Sequence, residues 1–501
     1  MKAEQLNYAA CCESTANKRI SWNQIDWEKA EALVNRLQIR IVKAAQKGCW
    51  NLVKRLQHLL VNSFYAKLLA IKRVTTNRGK NTPGIDGRLW KTSKDKAKAV
   101  EELNNIGYRA QPLKRVYIEK FGKKEKRPLS IPTMKDRAMQ ALHLQAIAPI
   151  AETTADRTSS GFRLYRSPHD AMQYTFLMLG RKTAPQWILE GDIKGCFDNI
   201  SHEWLMNNIP MNKSILQKFL KAGYSYQRKL FPTNSGAAQG GIISPTLANM
   251  TLDGMEQALE EVFRKKDKRR PNERQIHFIR FADDFIVTAK DKETAEEAKT
   301  IIQSFLIERG LTLSDNKTTI THIRDGFEFL GWEFRKYKDG KLIIRPSHKS
   351  IQKCKMNIRK TFEECKSSSQ RELIRRLNQI IIGWANYHQP VCAKKAYSSM
   401  DYYISLKTWK WAKRRHPKKK NEWLRERYWK SIGNRNYVFE TQTSRLKRAS
   451  DTPIVRHTLT KMDKNPFTEA AYFKDKQAKE KKKRKQAYLK SAAAQLSKVG
   501  L

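Results

Sequence analysis

In the stretch Ile276-His277-Phe278-Ile279-Arg280-Phe281-Ala282-Asp283-Asp284-Phe285-Ile286-Val287-Thr288-Ala289, apolar residues flank two adjacent acids on both sides. The flanks are β-branched and aromatic, so the pattern predicts two short strands that meet at a tight turn carrying the acids. Trp187-Ile188-Leu189-Glu190-Gly191-Asp192 repeats the theme, an apolar strand ending in an acid, with Gly195 and Phe197 just beyond. Residues 111–132 predict a basic hairpin: Val116-Tyr117-Ile118-Glu119-Lys120 and Lys126-Arg127-Pro128-Leu129-Ser130-Ile131 flank the turn Phe121-Gly122-Lys123-Lys124-Glu125. Elsewhere the period is helical. Residues 22–72 carry Ile41, Val42, Ala45, Leu52, Leu56, Leu59 and Leu60 at helical spacing among many basic residues. Met134 to Gln140 opens a helix with Asp136 near its positive end. From Ser347 to Ala412 the helical spacing returns through Ile351, Cys354, Ile358, Phe362, Leu373, Leu377, Ile380, Ile381 and Trp384. Asn77 to Gly84 is a loop by its breakers, and no internal repeat is present.

Two neighbouring aspartates at a turn repel each other, and a cation between them relieves that repulsion. A divalent-metal site on a hairpin is one reading; a solvated Asp-Asp turn is the other. Asp192 shifts the balance toward the metal. Three carboxylates on two strand segments can hold two magnesium ions, the arrangement used for in-line phosphoryl or nucleotidyl transfer. Gly195 would allow backbone amides to approach a triphosphate closely. Asp198 reads as a turn or helix-cap residue.

Charge points the same way. Lys+Arg number 99 against 49 Asp+Glu, a formal net charge of +50, and the pI is about 10.1. So large an imbalance opposes compaction unless a polyanion neutralises it, and nucleic acid is the natural partner. An anionic membrane is the competing polyanion. However, mean hydropathy is −0.70, no run of about 18 apolar residues spans a bilayer, and no secretory signal is apparent. Length suggests about three domains. The cysteines Cys11, Cys12, Cys49, Cys196, Cys354, Cys365 and Cys392 form no pair or Cys/His cluster with zinc spacing. This fits free thiols in a reducing cytoplasm.

Asp192 with Phe197, then Gln239-Gly240-Gly241-Ile242-Ile243-Ser244-Pro245, then Phe281-Ala282-Asp283-Asp284 resemble in order and spacing the palm motifs of a reverse transcriptase. Thr82-Pro83-Gly84-Ile85-Asp86-Gly87, Arg127-Pro128-Leu129-Ser130-Ile131-Pro132-Thr133, Leu311 to Thr318, Phe329-Leu330-Gly331-Trp332 and Ile382-Gly383-Trp384-Ala385-Asn386-Tyr387 narrow the resemblance. Together they resemble a group II intron-encoded protein, a reverse transcriptase with maturase function, from about Trp22 to about Pro417. Relatives often carry a C-terminal HNH endonuclease with paired cysteines; no cysteine follows Cys392 here, so the chain resembles an endonuclease-less member.

The resemblance implies an α+β right-hand polymerase fold. Residues 1–100 would form an N-terminal extension and the start of the fingers, 101–345 fingers and palm, 346–417 a helical thumb (the X or maturase domain), and 418–501 a basic DNA-binding region and tail. Asp192, Asp283 and Asp284 would be catalytic, holding two Mg2+ together with the backbone of Ile193. Lys120, Arg127, Phe197, Gln239 and Lys317 would bind the nucleotide: Lys120 and Arg127 at the triphosphate, Phe197 by excluding a 2′-hydroxyl, Lys317 by protonating or screening pyrophosphate. Ala238 stands where proline is usual before the glutamine, and Phe281 where tyrosine is commoner.

Arg137 has two readings, structural or template-contacting, and His202 reads as structural. Between Ser405 and Lys430 eleven Lys/Arg, among them Lys413, Arg414 and Arg415, interleave with Trp409, Trp411, Trp423, Tyr428 and Trp429. The basic residues would grip phosphate, and most of these tryptophans would fill a core. The run Lys479 to Lys485 reads as a solvated or disordered face. The implied function is RNA-directed DNA synthesis combined with binding of the chain's own intron RNA to assist splicing and retrohoming, with a DNA target and dNTPs as further partners. The alternatives are a splicing cofactor with a vestigial polymerase, and a reverse transcriptase serving a retron, a diversity-generating element or a CRISPR locus.

Overall fold

The computed structural model describes residues 21–119, 122, 125–263, 272–432 and 435–496. Lys120, most of the turn after it, Cys11 and Cys12 lie outside the described residues. The chain folds into two compact units. The first takes the described residues up to Ala155 and Gly195–Thr251; the second takes Asp156–Lys194 and the described residues from Leu252 onward.

In the first unit, helices Trp27–Gln46, Trp50–Asn62 and Phe64–Thr76 pack on helix Met134–Thr154. Their starts follow from local chemistry. Asp26 accepts a hydrogen bond from Lys29 N at 2.9 Å, and Thr133 caps the long helix by accepting from Asp136 N, each satisfying an amide that the helix leaves orphaned. Fourteen residues of Met134–Thr154 are buried, polar Gln140 and His143 among them, so this helix is the unit's central pillar. Beside it the expected hairpin forms, Leu113–Glu119 against Lys126–Ile131. Tyr224–Tyr226 and Lys229–Phe231 extend it to a four-stranded sheet.

The second unit is built on a four-stranded antiparallel sheet in the order His277–Phe281, Asp284–Ala289, Trp187–Asp192, Thr319–His322. Ile188, Ile279 and Ile286 on the sheet join one continuous core. That core runs through strands Phe327–Phe329 and Trp332–Lys336, then through helices His348–Glu364, Gln370–His388 and Lys394–Arg415 to Trp429 and Phe439. Trp332 is fully buried and stacks on Tyr387 at 4.6 Å, while the Tyr387 hydroxyl donates to Leu330 O at 2.7 Å. Two motifs more than fifty residues apart in sequence are thereby locked face to face. The run Lys479 to Lys485 is not irregular: it lies within helix Ala470–Leu496. Phe473 anchors that helix, 1% exposed, by stacking on Tyr165. Among the described residues no helix is long and apolar enough to cross a membrane.

Candidate functional site

Strands His277–Phe281 and Asp284–Ala289 meet at a two-residue turn, Ala282-Asp283, closed by the pair Phe281 and Asp284. Ala282 is held at φ 59°, in a left-handed region that costs a Cβ-bearing residue about 1 kcal/mol. The next strand, Trp187–Asp192, pairs so that Asp192 lies directly opposite Asp284 and Gly191 opposite Phe285. Gly191 is needed there because a Cβ would stand 2.0 Å from Phe285 Cζ.

This register forces like charges together, which destabilises a sheet. Lys317 answers part of the charge: its ammonium sits 2.5 Å from Asp192 Oδ2. The Asp284 carboxyl is still pushed up to about 6 by loss of solvation, then by Asp283 and Asp192, with Lys317 acting in the opposite sense. Among the described residues no three Asp, Glu, His or Cys side chains close into a cage for an ion. The donor set nevertheless fits hard cations: carboxylate oxygens with surplus negative charge and an ammonium already drawn in.

Ile193 is buried and bridges to Leu313. The flanking bonds run from Lys194 N to Thr312 O and from Ser314 N to Asp192 O, and neither uses the Ile193 carbonyl. Sequence reasoning missed three supports of this turn: Arg280, Asp253 and Gly161. A signal existed for the first. Arg280 stands between Ile279 and Phe281 in an apolar strand, where a charge needs a buried partner.

In the first unit Phe197 and Gln239 line one cavity of about 250 Å³, together with Arg115 and Gly236. Phe197 is half-buried on the short helix Cys196–Asn199. Its carbonyl accepts from Ala237 N at 2.7 Å, and the Gln239 carbonyl accepts from Ser130 N at 2.7 Å. Arg127 is exposed on its strand, opposite Ile118, and is not among the residues lining that cavity. His202 Nε2 donates to Gly236 O at 2.9 Å, a structural contact as expected.

Arg137 requires correction as a nucleic-acid contact. It is 5% exposed, and its guanidinium donates to Pro132 O at 2.9 Å, Gly79 O at 3.0 Å and Thr82 O at 2.6 Å. All three are backbone carbonyls of its own unit, so the fork staples the 79–82 loop to the helix start. Lys413, Arg414 and Arg415 are exposed on the last turn of helix Lys394–Arg415. Arg415 also donates to Ser368 O and lies over Trp411 at 4.6 Å. Trp411 and Trp429 are buried, consistent with core packing.

The family described as Reverse transcriptase (RNA-dependent DNA polymerase) matches residues 118–334. The N-terminal domain of reverse transcriptase matches 22–103, and the Group II intron, maturase-specific domain matches 351–429. The chain is similar to the group II intron-encoded protein LtrA of Lactococcus lactis subsp. cremoris, 30% identical over 363 residues, or 60% of each chain. It therefore spans about three-fifths of that relative's length. Protein YkfC of Escherichia coli (strain K12) is 32% identical over 320 residues, covering 56% of this chain and 82% of YkfC. Maturase-like protein 1 of Euglena gracilis is 25% identical over 374 residues, 72% and 76% of the two chains. The paired strands that carry Asp192, Asp283 and Asp284 lie inside the reverse transcriptase match and the Tyr387 helix inside the maturase match, the fold is that of a right-hand polymerase, and the chain belongs to the group II intron-encoded reverse transcriptase/maturase family.

Proposed function

We propose that this protein copies RNA into DNA and binds its own group II intron RNA, assisting its splicing and its insertion into a DNA target. The observation that carries the reading is the register that sets Asp192 opposite Asp284, one residue from Asp283. In this reading Asp192, Asp283, Asp284 and the Ile193 carbonyl hold two magnesium ions, which when bound would acidify a primer 3′-hydroxyl and neutralise the dNTP triphosphate.

The chain's own side chains do the rest. Lys317, half-exposed beside Asp192, offers an ammonium to the departing phosphates. The Phe197 ring closes the sugar side of the nucleotide against a 2′-hydroxyl, with Gln239 in the same cavity, and Lys120 and Arg127 take the triphosphate. Residues 1–100, 101–345, 346–417 and 418–501 act as N-terminal extension, fingers with palm, thumb and DNA-binding region. Exposed Lys413 and Arg414 contribute to the phosphate grip, and the protein works in the cytoplasm.

The test is one preparation assayed twice, for primer extension on an RNA template and for stimulation of intron splicing. Asp283→Ala is expected to abolish DNA synthesis and leave splicing intact. A folded wild type that promotes splicing but makes no DNA would reduce the protein to a splicing cofactor.

A further inference from the structure

Behind the Ala282-Asp283 turn lies a buried ionic cluster that the polymerase reading does not use. Arg280 is 0% exposed, although it sits in the strand that leads into the turn. Its guanidinium pairs with Asp253 and lies 3.8 Å from Asp156 Oδ2. The same guanidinium turns forward, and Nη1 donates to Ala282 O at 3.3 Å. The two acids are themselves fixed by the backbone: Asp156 N donates to Asp253 Oδ1 at 3.4 Å, and Asp156 Oδ1 accepts from Gly254 N at 2.9 Å.

A second strap comes from the chain after Asp156. Ser160 N donates to Arg280 O at 3.0 Å, and Gly161 lies so close that a Cβ there would stand 2.2 Å from Ala282 N. Ala282 occupies a strained left-handed conformation, and such a conformation persists only where its surroundings over-determine it.

We propose that Arg280, anchored by Asp253 and Asp156, is the positioning residue of the metal-binding turn, acting with the Gly161 contact to hold Ala282 in the conformation that presents Asp283 and Asp284. This rests on the reading of those two acids as metal ligands. A lysine keeps the charge at 280 but loses the planar fork that reaches the acids and the Ala282 carbonyl together. Loss of an outer partner that orients metal ligands typically costs about 10- to 100-fold in metal affinity or activity.

The experiment uses the full chain and Mn2+ as probe, followed by electron paramagnetic resonance, alongside hydrogen exchange of the Ala282–Phe285 amides. Arg280→Lys is expected to weaken Mn2+ binding about 10- to 100-fold and to speed exchange at the turn, while the thermal midpoint stays near that of wild type. Asp253→Asn, which removes one anchor but keeps an acceptor for Asp156 N, replaces it if Arg280→Lys does not fold. Unchanged Mn2+ affinity and exchange in a folded variant would overturn the positioning role. If Asp283→Ala binds Mn2+ as wild type does, the metal-site reading itself has failed, and that arm separates the two.

Discussion

Gly191→Ala puts a methyl group where the Phe285 ring lies. The added Cβ would stand 2.0 Å, 2.4 Å and 2.6 Å from three ring carbons. Phe285 is 1% exposed and packed beside Phe278, so the ring has little room to retreat. Overpacking of this kind costs about 1–3 kcal/mol. Alanine in an extended strand recovers up to about 1 kcal/mol by restricting the unfolded chain, leaving a net loss of about 1–2 kcal/mol. Phe285→Leu alone is expected to cost a similar amount through lost volume, since full truncation of a buried phenylalanine to alanine costs about 3–5 kcal/mol. The double variant removes the ring atoms that the methyl meets. It should therefore be more stable than additivity predicts by about 1–2 kcal/mol. Thermal midpoints of the four proteins measure this coupling. Single-nucleotide incorporation rates should follow the same order, because Gly191 precedes Asp192 in the strand. Additive losses in the double variant would refute the claim that the ring sets the position of this strand.

Phe197→Ala should lower discrimination against ribonucleotides by about 10- to 100-fold, read as the ratio of rNTP to dNTP incorporation; an unchanged ratio removes the steric role. RNA binding should weaken by about 10³-fold between 50 and 200 mM salt, and a flat titration would mean that the +50 charge is not spent on phosphates. Asp170 accepts from His457 Nε2 at 2.9 Å and Thr460 N at 2.9 Å; although burial opposes it, these bonds hold its carboxyl well below the usual range. A carboxyl lowered on folding contributes stability above its unfolded value, and that contribution is lost as pH falls below about 4. Asp170→Ala should therefore cost about 3 kcal/mol at neutral pH and progressively less in acid, as followed by denaturation at pH 7 and pH 3.

The elements that carry the acids were legible because their signals are local. Period, β-branching and turn breakers gave both strands around Ala282-Asp283, the strand ending in Asp192 and the hairpin from Leu113 to Ile131. The missing part is long-range. Arg137 could be read either way from sequence, because its three carbonyl partners include Gly79 and Thr82, more than fifty residues away. Asp156 and Asp253 approach Arg280 from the two separate points at which the chain enters the second unit, after Ala155 and after Thr251. The charge run 479–485 reads as a solvated or disordered face, whereas Phe473 ties the 470–496 helix to Tyr165, a contact no local pattern announces.

Incorporation of one deoxynucleotide opposite an RNA template, timed across a magnesium titration for wild type and Asp192→Asn, tests the carboxylate site most directly. Magnesium-dependent incorporation in wild type and its loss by several orders of magnitude in Asp192→Asn, with the fold intact, is the expected result; equal rates in the two proteins would contradict the assignment of Asp192 opposite Asp284 as the catalytic centre.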